Sequence, residues 1–347
     1  MKTYLTLFIV VCQSVVALAQ DNDNKTPYLT KSLANDAINS VVVTTSAGGI
    51  AVSGKSGEAP RVEVYIKGNN DKELSKEEIQ KRLDEYYNLD ISVTGHEVRA
   101  IVKNKHDGGD WDWKKGLSIS FKIYVPQQSN TQLTTSGGGI SLDNLSGTED
   151  FKTSGGGLSI DKLSGKIHGV TSGGGILVSN SSETIDLSTS GGGIVAKNCD
   201  GDIKLHTSGG GLKLEYLKGT IHAYTSGGGV EGDNIEGELI TSTSGGGIDL
   251  KDMDCSLSAS TSAGSLNAQM KQVGKYLKLA SSAGNINIEL PAKQGLDLDL
   301  RGDKVNQSQF NGFNGDWDKD HVKGTVNGGG APVTAGASSG DINIKFN

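Results

Sequence analysis

Thr135-Ser136-Gly137-Gly138-Gly139-Ile140 is followed by Thr153-Ser154-Gly155-Gly156-Gly157-Leu158, and the phrase returns in register at Ser172, Ser190, Ser208, Ser226 and Ser244. Ser262 keeps the frame, with Ala263-Gly264-Ser265 in place of the three glycines. Each interval is 18 residues. A fixed period of this length marks a solenoid, in which one repeat cannot bury its apolar face alone and so stacks on its neighbours.

Columns counted from the serine describe the inside of the coil. Four positions on, Ile140, Leu158, Ile176, Ile194, Leu212, Val230, Ile248 and Leu266 are all aliphatic. Six on, Leu142, Ile160, Val178, Ala196, Leu214, Gly232, Leu250 and Ala268 complete the alternation of a short strand with one buried face. A third apolar column, Leu145, Leu163, Cys199, Leu217, Ile235 and Met253, is broken only by Ser181. Two residues later a glycine at Gly147, Gly165, Gly201, Gly219 and Gly237 marks a corner, because glycine accepts the positive φ of tight bends. Ile167, Ile185, Ile203, Ile221, Leu239 and Leu257 then open a second strand, which ends in a threonine column from Thr135 to Thr261. Parity turns these threonines inward, where stacked hydroxyls are expected to bond along the ladder, and turns the serines outward.

The left-handed hexapeptide β-helix also takes 18 residues per turn but needs an aliphatic side chain at every sixth position. Ten positions on from each serine the chain has Ser146, Ser164, Ser182, Asp200, Lys218, Glu236 and Asp254. Polar residues there reject that fold. The expected class is all-β: a right-handed parallel β-helix with 18-residue coils, rising about 4.8 Å per coil, with a small α+β N-terminal excursion and a C-terminal cap.

Working outward, residues 1–19 read as a secretory signal peptide, with Lys2, an apolar core and Ala17-Leu18-Ala19. Val11 before Cys12 argues against a lipoprotein. No later stretch is long and apolar enough for a membrane span, so none is expected after signal removal. Cys199 and Cys255 stand three coils apart, about 14 Å, beyond the roughly 7 Å limit between bridged α-carbons; they read as small core or corner residues. Residues 20–37 are a polar, flexible lead-in. Residues 38–134 hold a first coil around Ser46-Ala47-Gly48-Gly49-Ile50 and an α+β excursion that covers one end. Within the excursion Ser75 and Glu78 form a capping box for a helix with Ile79, Leu83 and Tyr87 on one face. Leu89 to Lys103 reads as a hairpin about Gly95, and Arg61–Lys67 and Leu117–Val125 as strands. Residues 135–300 are the regular repeats, with a slip of two residues between Ser262 and Ser282. Residues 301–347 form a cap carrying Phe310, Phe313 and Trp317, then a last coil through Val333, Ile342 and Ile344.

The early Thr-Ser-Ala-Gly-Gly-Ile, Ile123-Tyr124-Val125-Pro126, the Thr-Ser-Gly-Gly-Gly coils and the closing Val326-Asn327-Gly328-Gly329-Gly330 and Ser339-Gly340-Asp341-Ile342 resemble the bacterial putative adhesin family of exported domains, common in Bacteroidetes-like bacteria. The resemblance covers about residues 38 to 347. It implies a right-handed β-helix and an adhesin-like role, and it supplies no catalytic residues.

Chemistry is sparse. The glycine triplets lack the Gly-Lys-Ser/Thr of a phosphate loop, and the period of nine that β-roll calcium sites need is absent. Glu231 lies over Asp249 and Glu236 over Asp254, at about 4.8 Å, with Asp233, Glu238 and Asp252 near. Stacked carboxylates repel unless a cation, a raised pKa or a neighbouring lysine relieves them. His206 and Tyr224 on adjacent coils, with His222 beside them, could offer a platform to a sugar ring. His106 to Asp112 reads as a polar turn, and Arg301-Gly302-Asp303 as a chance tripeptide. No catalytic, cofactor-binding or metal-binding residue and no cofactor is assigned. The expected function is an exported, non-enzymatic, adhesin-like binding or scaffolding protein of the cell envelope, in the periplasm, on the outer-membrane surface or secreted. Its expected partner is an envelope or extracellular glycan or protein, not nucleic acid. The alternatives are a glycan-cleaving β-helix enzyme using Glu231, Asp249, Glu236 and Asp254, and a ligand-free spacer.

Overall fold

Alternating side chains and a constant period leave the chain one economical arrangement, with equivalent residues stacked as parallel neighbours. The computed structural model describes residues 26–55, 57–69, 72–105, 113–307 and 312–347. Residues 1–19 with Cys12, the His106–Asp112 loop and Phe310 lie outside them. The described part is a β-solenoid with one α-helix, Lys76–Tyr86. Leu158 pairs with Ile176 and Ile176 with Ile194; Ile167 pairs with Ile185 and Ile185 with Ile203. The solenoid has about 9 turns. Every residue of the first aliphatic column, from Ile140 to Leu266, is at most 2% exposed. Burying a side chain of this kind is worth about 1.5–3 kcal/mol.

The threonines are buried as parity requires, but their hydroxyls do not bond to one another. Thr153 Oγ1 donates to the Gly138 carbonyl of the preceding coil at 2.7 Å, and Thr171, Thr189 and Thr207 repeat the bond to Gly156, Gly174 and Gly192. A carbonyl in a tight turn has no strand partner and must be satisfied from elsewhere. The threonine beside it supplies the donor.

Those same glycines set how closely coils approach. A Cβ on the central glycine of a triplet would meet the central glycine's carbonyl oxygen one coil back at 2.2 Å for Gly174, 2.3 Å for Gly192 and 2.4 Å for Gly228. At the first glycine, Gly191, the nearest atom would be 3.3 Å away. In divergent coils the outer two glycines are replaced, as in Ala263-Gly264-Ser265, Ala283-Gly284-Asn285 and Ser339-Gly340-Asp341, while the central one persists. Close packing of backbone on backbone explains the central position.

Each coil turns at a second corner that the sequence reading did not mark. Asn144, Lys162, Asn180, Asn198, Tyr216, Asn234 and Asp252 occupy one column with φ between 51° and 55°. Asn and Asp tolerate this left-handed region better than most residues, and they hold five of the seven places. The glycine corner is confirmed at Gly165, Gly201, Gly219 and Gly237, with Glu183 taking the same role at φ 80°.

Both ends are closed. The first coil, Ser40–Thr45 and Ile50–Ser53, lies between the main array and the excursion strands Glu97–Asn104 and Leu117–Tyr124. Tyr87–Thr94, Arg61–Gly68 and Leu29–Ser32 then add on antiparallel. The helix starts at Ser75, whose Oγ accepts the Glu78 N–H, and buries Ile79 and Leu83. At the far end the order differs from the sequence reading. Ala331–Ala337 and Ile342–Phe346 are not the outermost turn. They sit between the array and Leu296–Arg301 with Val305–Gln307. His321–Val326 and Phe313–Trp317 then finish this end antiparallel, Phe313 and Trp317 meeting edge to face at 5.3 Å. Antiparallel strands supply the covering that a bare parallel edge lacks; equal spacing reveals which segments are coils, not the order in which they stack.

Cys199 and Cys255 are buried free thiols, Cys199 in the third apolar column and Cys255 in register with the corner glycine Gly237. Ser181 fills the gap in the third column by accepting from the Leu163 N–H and donating to the Ser179 carbonyl. One acidic residue breaks the core pattern. Glu149 stands in register with Ile167 at 0% exposure, accepts from the Thr131 hydroxyl through Oε2, and leaves Oε1 without a partner. Burial pushes its carboxyl up to about 7, against the smaller opposing effect of Thr131.

Gly192→Ala is expected to destabilise the protein by about 1–3 kcal/mol, several times more than Gly191→Ala, read from urea midpoints. For Glu149 the folded-state pKa lies above the ordinary 4.5, so its contribution is complete below that value and is lost as pH rises through about 7. At 1.36 kcal/mol per unit this amounts to about 3 kcal/mol. Denaturant titrations from pH 4.5 to 8 are expected to show that decline in the native protein and to show it removed in Glu149→Gln.

Candidate functional site

Outward side chains on a stacked wall form straight columns, so any site here is built from columns. The carboxylates singled out in the sequence are in register, Glu231 with Asp249 and Glu236 with Asp254. The left-handed residues Asn234 and Asp252 turn the chain between the two pairs, which divides them between two walls. Lys251 Nζ lies 3.3 Å from Asp249 and Lys218 Nζ 3.3 Å from Glu236. Asp252 pairs with Lys271 at 3.3 Å, and Glu238 accepts from the Tyr276 hydroxyl at 2.6 Å. That bond, with burial, pushes the Tyr276 phenol up to about 12. One carboxylate of each pair thus has a lysine beside it. Among the described residues no three His, Cys, Asp or Glu side chains are grouped to hold a metal ion.

His206 and Tyr224 are register neighbours, and the ring contact is between His222 and Tyr224 on one strand, with Nδ1 3.2 Å from the hydroxyl and centroids 6.3 Å apart. His168 lies 3.5 Å from Asp186. In the Arg-Gly-Asp tripeptide, Arg301 Nε bonds Asp299 at 3.2 Å, and Asp303 Oδ2 accepts the Gly340 N–H at 3.0 Å. The guanidinium is thus held on its own strand, and the carboxylate is engaged by the turn of a neighbouring coil.

A groove on the outer wall lies elsewhere. It has a volume of about 380 Å³ and crosses four strands, with Asp249, Asn267, Asn287 and Asn343 along one side, Lys251, Gln269, Glu289 and Lys345 along the other, and Leu250, Ala268, Ile288 and Ile344 between them. Asp249, Asn267, Asn287 and Asn343 are successive register partners. The asparagines form a ladder. Asn287 Nδ2 donates to Asn267 Oδ1 at 2.7 Å, Asn343 Nδ2 to Asn287 Oδ1 at 2.8 Å, and Asn306 Nδ2 to Asn343 Oδ1 at 3.0 Å. Opposite, Lys345 pairs with Glu289 at 3.3 Å. The groove opens where the period lengthens from 18 to 20 residues, beside register shifts between Leu250 and Met253. A bulge of this kind bends a strand and re-aims its side chains.

The sequence reading missed this site, although Leu266-Asn267, Ile286-Asn287, Val305-Asn306 and Ile342-Asn343 repeat one pattern. An asparagine after the first aliphatic residue of a coil was the available signal.

Every lining residue falls in one stretch of chain that matches a known family. Residues 225–345 match the model of the Toastrack DUF4097 family. Three solved structures are similar to the whole chain over 92% of its length: a "putative cell adhesion protein" from Clostridium sporogenes, a "putative adhesin" from Bacteroides fragilis and a "putative lipid binding protein" from Parabacteroides distasonis. Their identities are 11%, 12% and 14%, their own coverage 98%, 96% and 97%, and their TM-scores 0.18, 0.24 and 0.27. Scores of this size carry no argument about what the chain binds. No curated protein matches it.

The matched stretch contains the groove and both carboxylate pairs, whereas Glu149 and the excursion precede it. In the asparagine ladder Asn287→Ala removes two bonds between coils and is expected to destabilise by about 1 kcal/mol. Gln269→Ala, which unpairs nothing among the described residues, is expected to stay within about 0.5 kcal/mol. Thermal unfolding of the two variants checks the difference.

Proposed function

We propose that the protein is an exported, non-enzymatic binding module of the cell envelope whose contact surface is the groove between the Asn267–Asn343 ladder and the Gln269–Lys345 side. The groove carries this reading: it is a concavity within the size range of small-ligand sites, with polar side chains along both sides and apolar residues between them. The signal-peptide pattern of residues 1–19 supports export. A binding role is favoured over glycan cleavage because cleavage needs two carboxylates converging on one bond, and here the two pairs lie on either side of a corner with lysines beside them.

The purified protein is expected to sediment with envelope fractions of its source bacterium. Lys251→Glu combined with Gln269→Trp is expected to weaken that association at least about tenfold, a change of about 1.4 kcal/mol, with unfolding unchanged. Release of reducing ends from envelope polysaccharide by the native protein would instead support the enzyme reading.

A further inference from the structure

We infer that the groove takes a linear, uncharged oligosaccharide laid across the four strands, its hydroxyls bonded to the unused halves of the Asn287 and Asn343 amides. This rests on the proposed reading of the groove as the contact surface and names its ligand class.

A side-chain amide has two N–H donors and a carbonyl oxygen with two lone pairs. Within the ladder Asn287 and Asn343 each give one N–H and accept one bond. One donor and one acceptor therefore remain on each, repeated about every 4.8 Å along the stack. A ligand matching that row must itself offer both donors and acceptors at regular intervals, as sugar hydroxyls do. Phosphate and sulfate only accept, and ammonium groups only donate.

Charge points the same way. Asp249 pairs with Lys251 and Glu289 with Lys345, each at 3.3 Å, so the lining has no formal net charge. A polyanion or polycation would have to break those pairs. An added peptide strand is excluded by the floor, whose backbone is hydrogen-bonded to strands on both sides; strand addition needs an open edge. An acyl chain would strip water from the amide row and return no hydrogen bond. The bulge beside Gln269 supplies the width that the regular wall lacks.

The test is titration calorimetry of the full chain with neutral linear gluco-, manno- and xylo-oligosaccharides of two to about six units, with heparin oligosaccharides and phosphatidylcholine vesicles as the other arms. One neutral series is expected to bind, more tightly as it lengthens to span the groove and with little dependence on salt. Gln269→Trp and Asn287→Ala are each expected to weaken it at least about tenfold. Since Asn287→Ala also loosens the ladder, Gln269→Trp is decisive when its melting temperature matches the native protein. Absence of binding by every neutral series overturns the inference. Heparin or vesicle binding that Gln269→Trp abolishes also overturns the ligand class, but leaves the groove as the contact surface. Neutral-sugar binding that Gln269→Trp leaves unchanged overturns the groove itself.

Discussion

The contact of one turn's central glycine with the carbonyl of the turn beneath it is the constraint on which the rest of this molecule depends. With a Cβ at Gly174, Gly192 or Gly228 the coils could not approach to strand-pairing distance on that side. Once they do approach, the turn carbonyl is buried and needs a donor, which the adjacent threonine provides. Aliphatic columns then fill an interior about one side chain deep. The triplets that might suggest a phosphate loop are therefore a packing device, and their density reflects the number of coils.

Much of this was legible in the sequence because the cause is periodic. Ile176 above Leu158, or Leu217 above Cys199, follows from counting alone, and so do the capped helix at Ser75 and the hairpin about Gly95. What escaped was local. The corner at Asn144, Asn180 and Asn234 lies at polar positions that alternation does not test. Glu149 was invisible because its column is defined by Ile167 and its successors, and a lone carboxyl gives no sign of facing inward. The threonine bonds were assigned the wrong partner because parity gives a direction and says nothing of which acceptor is nearest.

The candidate site was legible only in its parts. The paired carboxylates were found because charge repulsion draws notice, yet a corner separates the two pairs and each has a lysine beside one of its members. Neutral amides draw no such notice. Asn267, Asn287 and Asn343 become a ladder only when coils two residues longer than the standard are known to stay in register, and when Ile342–Phe346 is seen to stack directly on Ile286–Leu290. The groove therefore arises at the irregularity of an otherwise uniform wall.

That stacking order constrains how such a molecule is assembled and how it changes over generations. Ala331–Ala337 and Ile342–Phe346 enter between layers laid down earlier in the chain, so the distal plug and the barrel of the rod cannot be joined until the ribosome has made these strands. The opening coil is enclosed in the same manner. Duplication of a repeat can therefore lengthen the rod only in its interior, and a cut that removes residues 331–346 takes out a middle storey while leaving the roof with nothing to rest on.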